Sequence, residues 1–306
     1  MLESLTLELC FLLLLKIALL NGAIEIQKSS SKCRLPGHLQ GVYLVQKVEL
    51  NYNRSAQGVL RSLKYDDVYI GPTFISKWGD CVEALGHSYI LRSRKTNGST
   101  CFKCLTILQR TPNVVQVLTS QKDSCHKSEA IAKTNCKSLS AEFPGEGIML
   151  WKSEDVQYQL CPINGMAELT YIMSDGFQRD PEGLKLTASN CKYGYQLDVQ
   201  FEDDKAVTND MTFKCLGKWP SAKNNGEEYF AIYDSKAGEF RCGIYLENNG
   251  ISHAALSIDS SCNDLLVNST VGYETLTVRP GKCNLGLRLI RKQDHILLEA
   301  VSCHSK

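Results

Sequence analysis

The chain has 306 residues, with 34 lysines and arginines against 33 aspartates and glutamates and a formal net charge of +1. Spread over the chain, that balance gives no basic footprint for nucleic acid or anionic lipid. Fourteen cysteines without any paired zinc-ligand motif read as a disulfide framework, which excludes a reducing compartment.

In chain order, residues 1–23 read as a secretory signal. Leu9 to Leu20 is an apolar run of signal length followed by Gly22 and Ala23, although Glu3, Glu8 and Lys16 depart from the usual charge pattern. The run is too short and broken to span a bilayer, and the later apolar stretches at Ile148–Trp151 and Ile296–Val301 are shorter still. A secreted, extracellular chain with no membrane span after cleavage is the expectation. Cys10 leaves with the signal, so thirteen cysteines remain and one is left over.

Cys33-Arg34-Leu35-Pro36-Gly37 opens the mature fold, and Gly41 to Val48 is a β-rich run. Its Gly41-x-Tyr43 is similar to the first strand of lipocalins. Val59 to Ser76 reads as two short strands turning at Asp66-Asp67, with a break at Gly71-Pro72. Strands at Gly79–Val82, His87–Arg92, Thr100–Leu108 and Val114–Leu118 follow, separated by Asn97-Gly98 and Thr111-Pro112-Asn113. The basic clusters Arg92, Arg94, Lys95 and Arg288, Arg291, Lys292 fall near turns and read as solvated loop charge.

Residues 126–142 are the one short helix, broken by Phe143-Pro144-Gly145. The fold class is thus all-β, made of short, mostly antiparallel strands in disulfide-stapled hairpins. It divides into an N-terminal domain at 33–136, a linker at 137–160 and a C-terminal domain at 161–303. In the second half Tyr195, Leu197, Val199 and Phe201 share one face of a strand and Gln196, Asp198 and Gln200 the other. Residues 101–125 and 239–262 match as a repeated unit, each with an aromatic two before a cysteine, two strands, and a closing cysteine 21 or 20 residues on.

Residues equally far from a hairpin turn face each other within disulfide reach. Cys283 and Cys303 are centred on Gln293, and Cys191 and Cys215 on Asp203, which nominates both pairs. Cys104 with Cys125, and Cys242 with Cys262, are centred a few residues beyond their turns, so their partners stay open. Cys101 and Cys104 cannot bond each other, because residues three apart on a strand point to opposite faces ~10 Å apart. Three sequons, at Asn53, Asn97 and Asn268, mark glycosylation candidates, with Asn97 at a hairpin turn.

Cys33-x-Leu35-Pro36, Gly41-x-Tyr43, Gly79-Asp80-Cys81, Cys101-x-x-Cys104, Pro112-Asn113-Val114-Val115-Gln116, Cys125, Cys161-Pro162, Cys215-Leu216-Gly217-x-Trp219 and Phe240-Arg241-Cys242 together resemble a family. It comprises the cysteine-rich ectodomain proteins of insects and other invertebrates, built from consecutive domains of unknown function. The likeness covers nearly the whole mature chain. The family pattern favours Phe where Leu35 stands, Trp at Tyr43 and an aromatic at Val117, and many relatives carry a C-terminal membrane anchor, which is not expected here. The resemblance implies no catalytic residue, cofactor or metal.

His38, His87, His126, His253, His295 and His304 are scattered, and neither H-E-x-x-H nor G-x-S-x-G occurs. The chain therefore reads as an extracellular interaction module rather than an enzyme, its partner an extracellular protein. The alternative is a lipocalin-like carrier of a small apolar ligand, against which stands the shortness of the strands. An extracellular hydrolase is the third reading.

Overall fold

Sixteen strands close into two antiparallel barrels of eight. The computed structural model describes residues 33–47, 63–119, 125–136, 147–173, 184–201, 210–221, 226–257, 259–260, 262, 269–270, 274–281, 288–292 and 295–299. The first barrel runs through β1 (Gly41–Lys47), β2 (Lys64–Ile70), β3 (Phe74–Ile75), β4 (Gly79–Leu85), β5 (Ser88–Arg94), β6 (Thr100–Thr111), β7 (Val114–Thr119) and β8 (Gly147–Lys152). It closes where Leu44 of β1 pairs with Trp151 of β8. The second runs through β9 (Met166–Met173), β10 (Leu184–Ser189), β11 (Gln196–Phe201), β12 (Met211–Pro220), β13 (Glu228–Asp234), β14 (Glu239–Asn248), β15 (Ile251–Leu256) and β16 (Glu274–Pro280). There Leu276 of β16 pairs with Tyr171 of β9. A separate hairpin, β17 (Arg288–Lys292) with β18 (His295–Glu299), follows.

The all-β expectation holds, and closure abolishes the exposed strand edges that an open sheet would present. The stretch read as a linker needs correction: β8 lies within it and is the closing strand of the first barrel. Its apolar run is buried on both faces, Leu150 toward the first barrel's core and Met149 and Trp151 toward the second barrel, so no alternation marks it as a strand. Nor does the chain turn at Asp66-Asp67, which lie in the middle of β2 opposite Val45 and Leu44. The strands are also longer than read, β6 having 12 residues and β12 and β14 having 10 each.

The two barrels are copies of one plan. β6–β7 and β14–β15, the repeated unit, are the sixth and seventh strands of each. In each, a cysteine just before the first strand bonds one in the fourth strand, as Cys33–Cys81 and Cys161–Cys215, and a cysteine in the sixth strand bonds one beyond the seventh, as Cys101–Cys125 and Cys242–Cys262. Among the described residues the helix α1 (Glu129–Cys136) is found in the first copy alone. It packs Ala132 and Cys136 on the outer face of β5 and β6, at Ile90 and Cys104, and is tied there by Cys104–Cys136.

The barrels lie side by side with their outer walls in contact. Val114, Met149 and Trp151 of the first pack against Leu216, Trp219, Phe240 and Ile244 of the second, and Trp151 stacks on Phe240 at 5.2 Å. A buried polar clasp fixes the joint. The Asn113 amide nitrogen donates to Gln157 O (2.7 Å) and Leu216 O (2.9 Å), its oxygen accepts from Gln157 N (2.8 Å), and Thr111 Oγ1 donates to Leu216 O (2.9 Å). Gly217, at a β-bulge with φ +128°, leaves the space that Thr111 fills, since a Cβ there would lie 2.6 Å from Thr111 Cγ2. On the other side Tyr65 Oη accepts from Phe240 N and bonds Ser260 Oγ.

Candidate functional site

The two copies differ in what fills them. In the first barrel the inward face carries Tyr43, Trp78 and Tyr89 among its aliphatic side chains, all at most 5 % exposed. Seven residues separate Cys33 from β1, enough for a 3-10 turn at Gly37–Leu39 that inserts Leu35 and Leu39 into the core. Tyr43 Oη donates to Leu39 O (3.0 Å), which fixes that plug, and burial pushes the Tyr43 phenol up to about 12.

In the second barrel the equivalent segment, from Cys161 to Met166, is three residues shorter and contributes only Pro162 and Ile163. The inward face carries Ala167, Ala188 and Ala254. Gly243 is required by the Phe230 ring, which lies 2.2 Å from where its Cβ would be. Beside Ala254 the interior holds a cavity walled by Leu169, Leu186, Leu197, Val199, Phe213 and Leu276. Its volume is about 60 Å³, room for about five water-sized groups at ~10–15 Å³ each.

Polar groups border this space at few points, and each charged one is paired. Glu274 receives Arg241 Nη2 at 3.0 Å, and Arg241 also donates from Nη2 and Nε to Ser257 O at 2.6 and 3.2 Å. Toward the other end Tyr245 Oη donates to Glu228, while Lys218 Nζ donates to Glu228 (2.7 Å) and Tyr245 Oη (3.0 Å). The bond to Glu228, then that to Tyr245, raises the Lys218 ammonium above its ordinary value. Burial alone would raise Glu228, but the bonds from Lys218 and Tyr245 outweigh it and hold the carboxyl below its ordinary value. Tyr245 is raised, first by burial and then by its bond to Glu228.

The rim beside Pro162 and Ile163 is built on Asn190, which is buried. Its oxygen accepts from Gly165 N (2.7 Å) and its amide nitrogen donates to Ile163 O (2.9 Å) and Gly194 O (3.3 Å). The cavity is thus an apolar chamber with a hydrogen-bonded lip. Among the described residues no group of three or more His, Cys, Asp and Glu is placed to hold a metal.

Several sequence expectations land elsewhere. Cys215 bonds Cys161, not Cys191, because Cys215 faces the barrel interior where the entering segment passes. Cys104 bonds Cys136 and Cys125 bonds Cys101, because 101 and 104 face opposite sides of β6 and only Cys104 meets α1. Cys242 and Cys262 are bonded to each other, and Cys191 is in a disulfide whose partner is outside the described residues. Cys283 and Cys303 also lie outside them. The described hairpin pairs Lys292 with His295, which sets its centre between Gln293 and Asp294 rather than on Gln293.

Asn97 is exposed at the β5–β6 turn, where its side-chain oxygen accepts from Ser99 N (3.0 Å) and Ser99 Oγ (2.6 Å). Asn53 and Asn268, like the signal segment, are outside the described residues. Gly41-x-Tyr43 sits in the filled barrel, not the hollow one, and Leu35, Tyr43 and Val117, where the family pattern favours aromatics, are fully buried in that core and form no ligand surface. Tyr195 precedes β11 and turns outward, while Leu197 and Val199 face the cavity. Nothing in the sequence marked the cavity, since its walls come together only when the barrel closes.

Two family models match the chain: Domain of unknown function (DUF7044) over residues 31–141 and Domain of unknown function (DUF7042) over residues 157–280. No curated protein and no solved structure matches it.

Proposed function

Because the chain belongs to the proteins that carry these two domains of unknown function in tandem, we propose that the pair works as one secreted, glycosylated binding protein. The second barrel holds a small apolar ligand and the first is its solid counterpart. The cavity carries this reading. It is enclosed by aliphatic and aromatic side chains, and the charges at its border are already paired, so the buried part of the guest is uncharged. This favours the carrier over a module that only displays loops, and it is a binding role rather than a catalytic one. The disulfides and the exposed Asn97 sequon support an extracellular setting.

Each methylene buried contributes ~0.8 kcal/mol, about fourfold in affinity. A homologous series of straight-chain alcohols or fatty acids, assayed by displacement of a fluorescent fatty acid, is therefore expected to gain about fourfold per carbon until the chamber is full, then level off. Ala254→Phe, which fills the chamber from a cavity-lining position, should abolish displacement while leaving the thermal transition in place. A chain-length series with no slope, or displacement undiminished in A254F, refutes the proposal.

A further inference from the structure

A row of exposed aromatic rings lies on the same lip that feeds Pro162 and Ile163 into the cavity. Tyr193, Tyr195 and Tyr158 are stacked in that order, with centroids 5.5 and 5.7 Å apart and planes within 22°. Lys192 Nζ caps the Tyr193 end at 5.2 Å and Lys214 Nζ the Tyr158 end at 5.0 Å. The three rings are 37–43 % exposed, and next to them Leu160 is 78 % exposed, the most exposed of the large hydrophobic side chains described. Leu160 rests over Gly194, where a Cβ would lie 2.8 Å from Leu160 Cδ2, and the neighbouring Cys161 N donates to Gly194 O (2.9 Å). The patch and the cavity wall are therefore consecutive residues of one segment.

We propose that this patch docks the protein on the surface of a bilayer containing anionic lipid, with the open end of the second barrel brought to the membrane. The chemistry of the row selects that occupant. A sugar ring would need a bare aromatic face, but the faces here are covered by one another and by the two ammonium groups. What the row presents outward is phenolic edges and hydroxyls, two positive charges and one aliphatic side chain. Tyrosine at the headgroup level, lysine toward lipid phosphate and leucine among the upper acyl carbons is the arrangement that an interface rewards. Docking as a step in loading or unloading rests on the carrier reading above, but the surface contact does not.

The test uses the full secreted chain in sedimentation with vesicles of phosphatidylcholine alone and of phosphatidylcholine with phosphatidylserine. Binding is expected to the anionic vesicles, weakening as ionic strength rises. K192A/K214A should weaken it by about fivefold per lysine removed, and Leu160→Ser, which changes no charge, should weaken it independently of salt. Neither variant changes a cavity-lining residue, so fatty-acid displacement in solution should be unchanged in both, which also shows that they fold. Equal sedimentation of wild type and both variants overturns the proposal, as does no binding to either vesicle. Retention on a sulfated polysaccharide without vesicle binding also overturns it and reassigns the patch. Vesicle binding in a protein that displaces no fatty acid leaves the docking surface standing and removes the carrier reading instead.

Discussion

Asn113 is the side chain on which the joint between the barrels most depends, and its removal should be felt in both. Asn113→Ala deletes three hydrogen bonds, at 2.7, 2.9 and 2.8 Å, made by a fully buried side chain. Leu216 O keeps its bond from Thr111 Oγ1 and Gln157 O its bond from Gln159 Nε2, so Gln157 N is the one backbone group of the clasp that loses its partner. At ~1 kcal/mol for each net bond the cost is about 3 kcal/mol. With ~2–4 °C per kcal/mol for a fold of this size, the thermal midpoint should fall by roughly 6–12 °C. Differential scanning calorimetry should also show the single transition of the native chain broadening or splitting as the barrels uncouple. A midpoint lowered by less than about 2 °C, with one unchanged transition, would show that the clasp contributes little and that the apolar contact around Trp151 alone joins the barrels.

Gly217→Ala combines a strained φ of +128° with a Cβ 2.6 Å from Thr111 Cγ2, so it should cost about 1–3 kcal/mol, read as a shift in urea midpoint; a neutral substitution would mean the bulge relaxes freely. Glu228 is held below its ordinary value, so its contribution is present above about pH 4.3 and lost as pH falls through the lower folded value. Lys218 is raised, so its share is present below about pH 10.4 and lost as pH climbs through the higher folded value. The stability difference between wild type and E228Q should accordingly be flat from about pH 5 to 10 and shrink at both ends, with a plateau under ~1 kcal/mol because the pair is partly exposed; a difference independent of pH would contradict the pairing. Gly281 N bonds Met166 O, and Met166 pairs with Ser189, so the chain two residues before Cys283 lies one strand from the chain two residues before Cys191. Non-reducing peptide mapping is expected to recover a Cys191–Cys283 peptide, whereas a Cys283–Cys303 peptide would restore the hairpin pairing.

Local alternation made most strands legible, as in Leu197 and Val199 against Gln196 and Asp198, and the turns at Asn97-Gly98 and Pro112-Asn113 fall where their chemistry places them. Closure was not legible, because β8 is apolar on both faces and its partner β1 lies about a hundred residues earlier. Hairpin symmetry left Cys104 without a partner and misassigned Cys215 for a related reason. Each faces something outside its own hairpin, α1 for the one and the entering segment for the other. The pieces Pro112-Asn113 and Cys215-Leu216-Gly217-x-Trp219 were visible as a pattern, but only the fold shows them to be the two halves of one joint. The cavity is walled by residues such as Leu169, Leu197, Phe213 and Ala254, which come together only when the barrel closes, and distances of that kind are absent from a linear pattern.

The shared wall also makes the chamber mechanically lopsided. β12 to β15 press their outer faces, through Leu216, Ala231, Ile244 and Ala255, on the first barrel, whose interior is solid. β9, β10 and β11 turn Glu168, Thr187 and Gln200 away from the cavity, and among the described residues these three side chains meet no such apolar backing. On the carrier reading proposed above, a guest too large for the empty chamber should therefore displace β9–β11 rather than β13 and β14, and amide exchange measured with and without the guest should differ in β9–β11 and stay the same in β13 and β14.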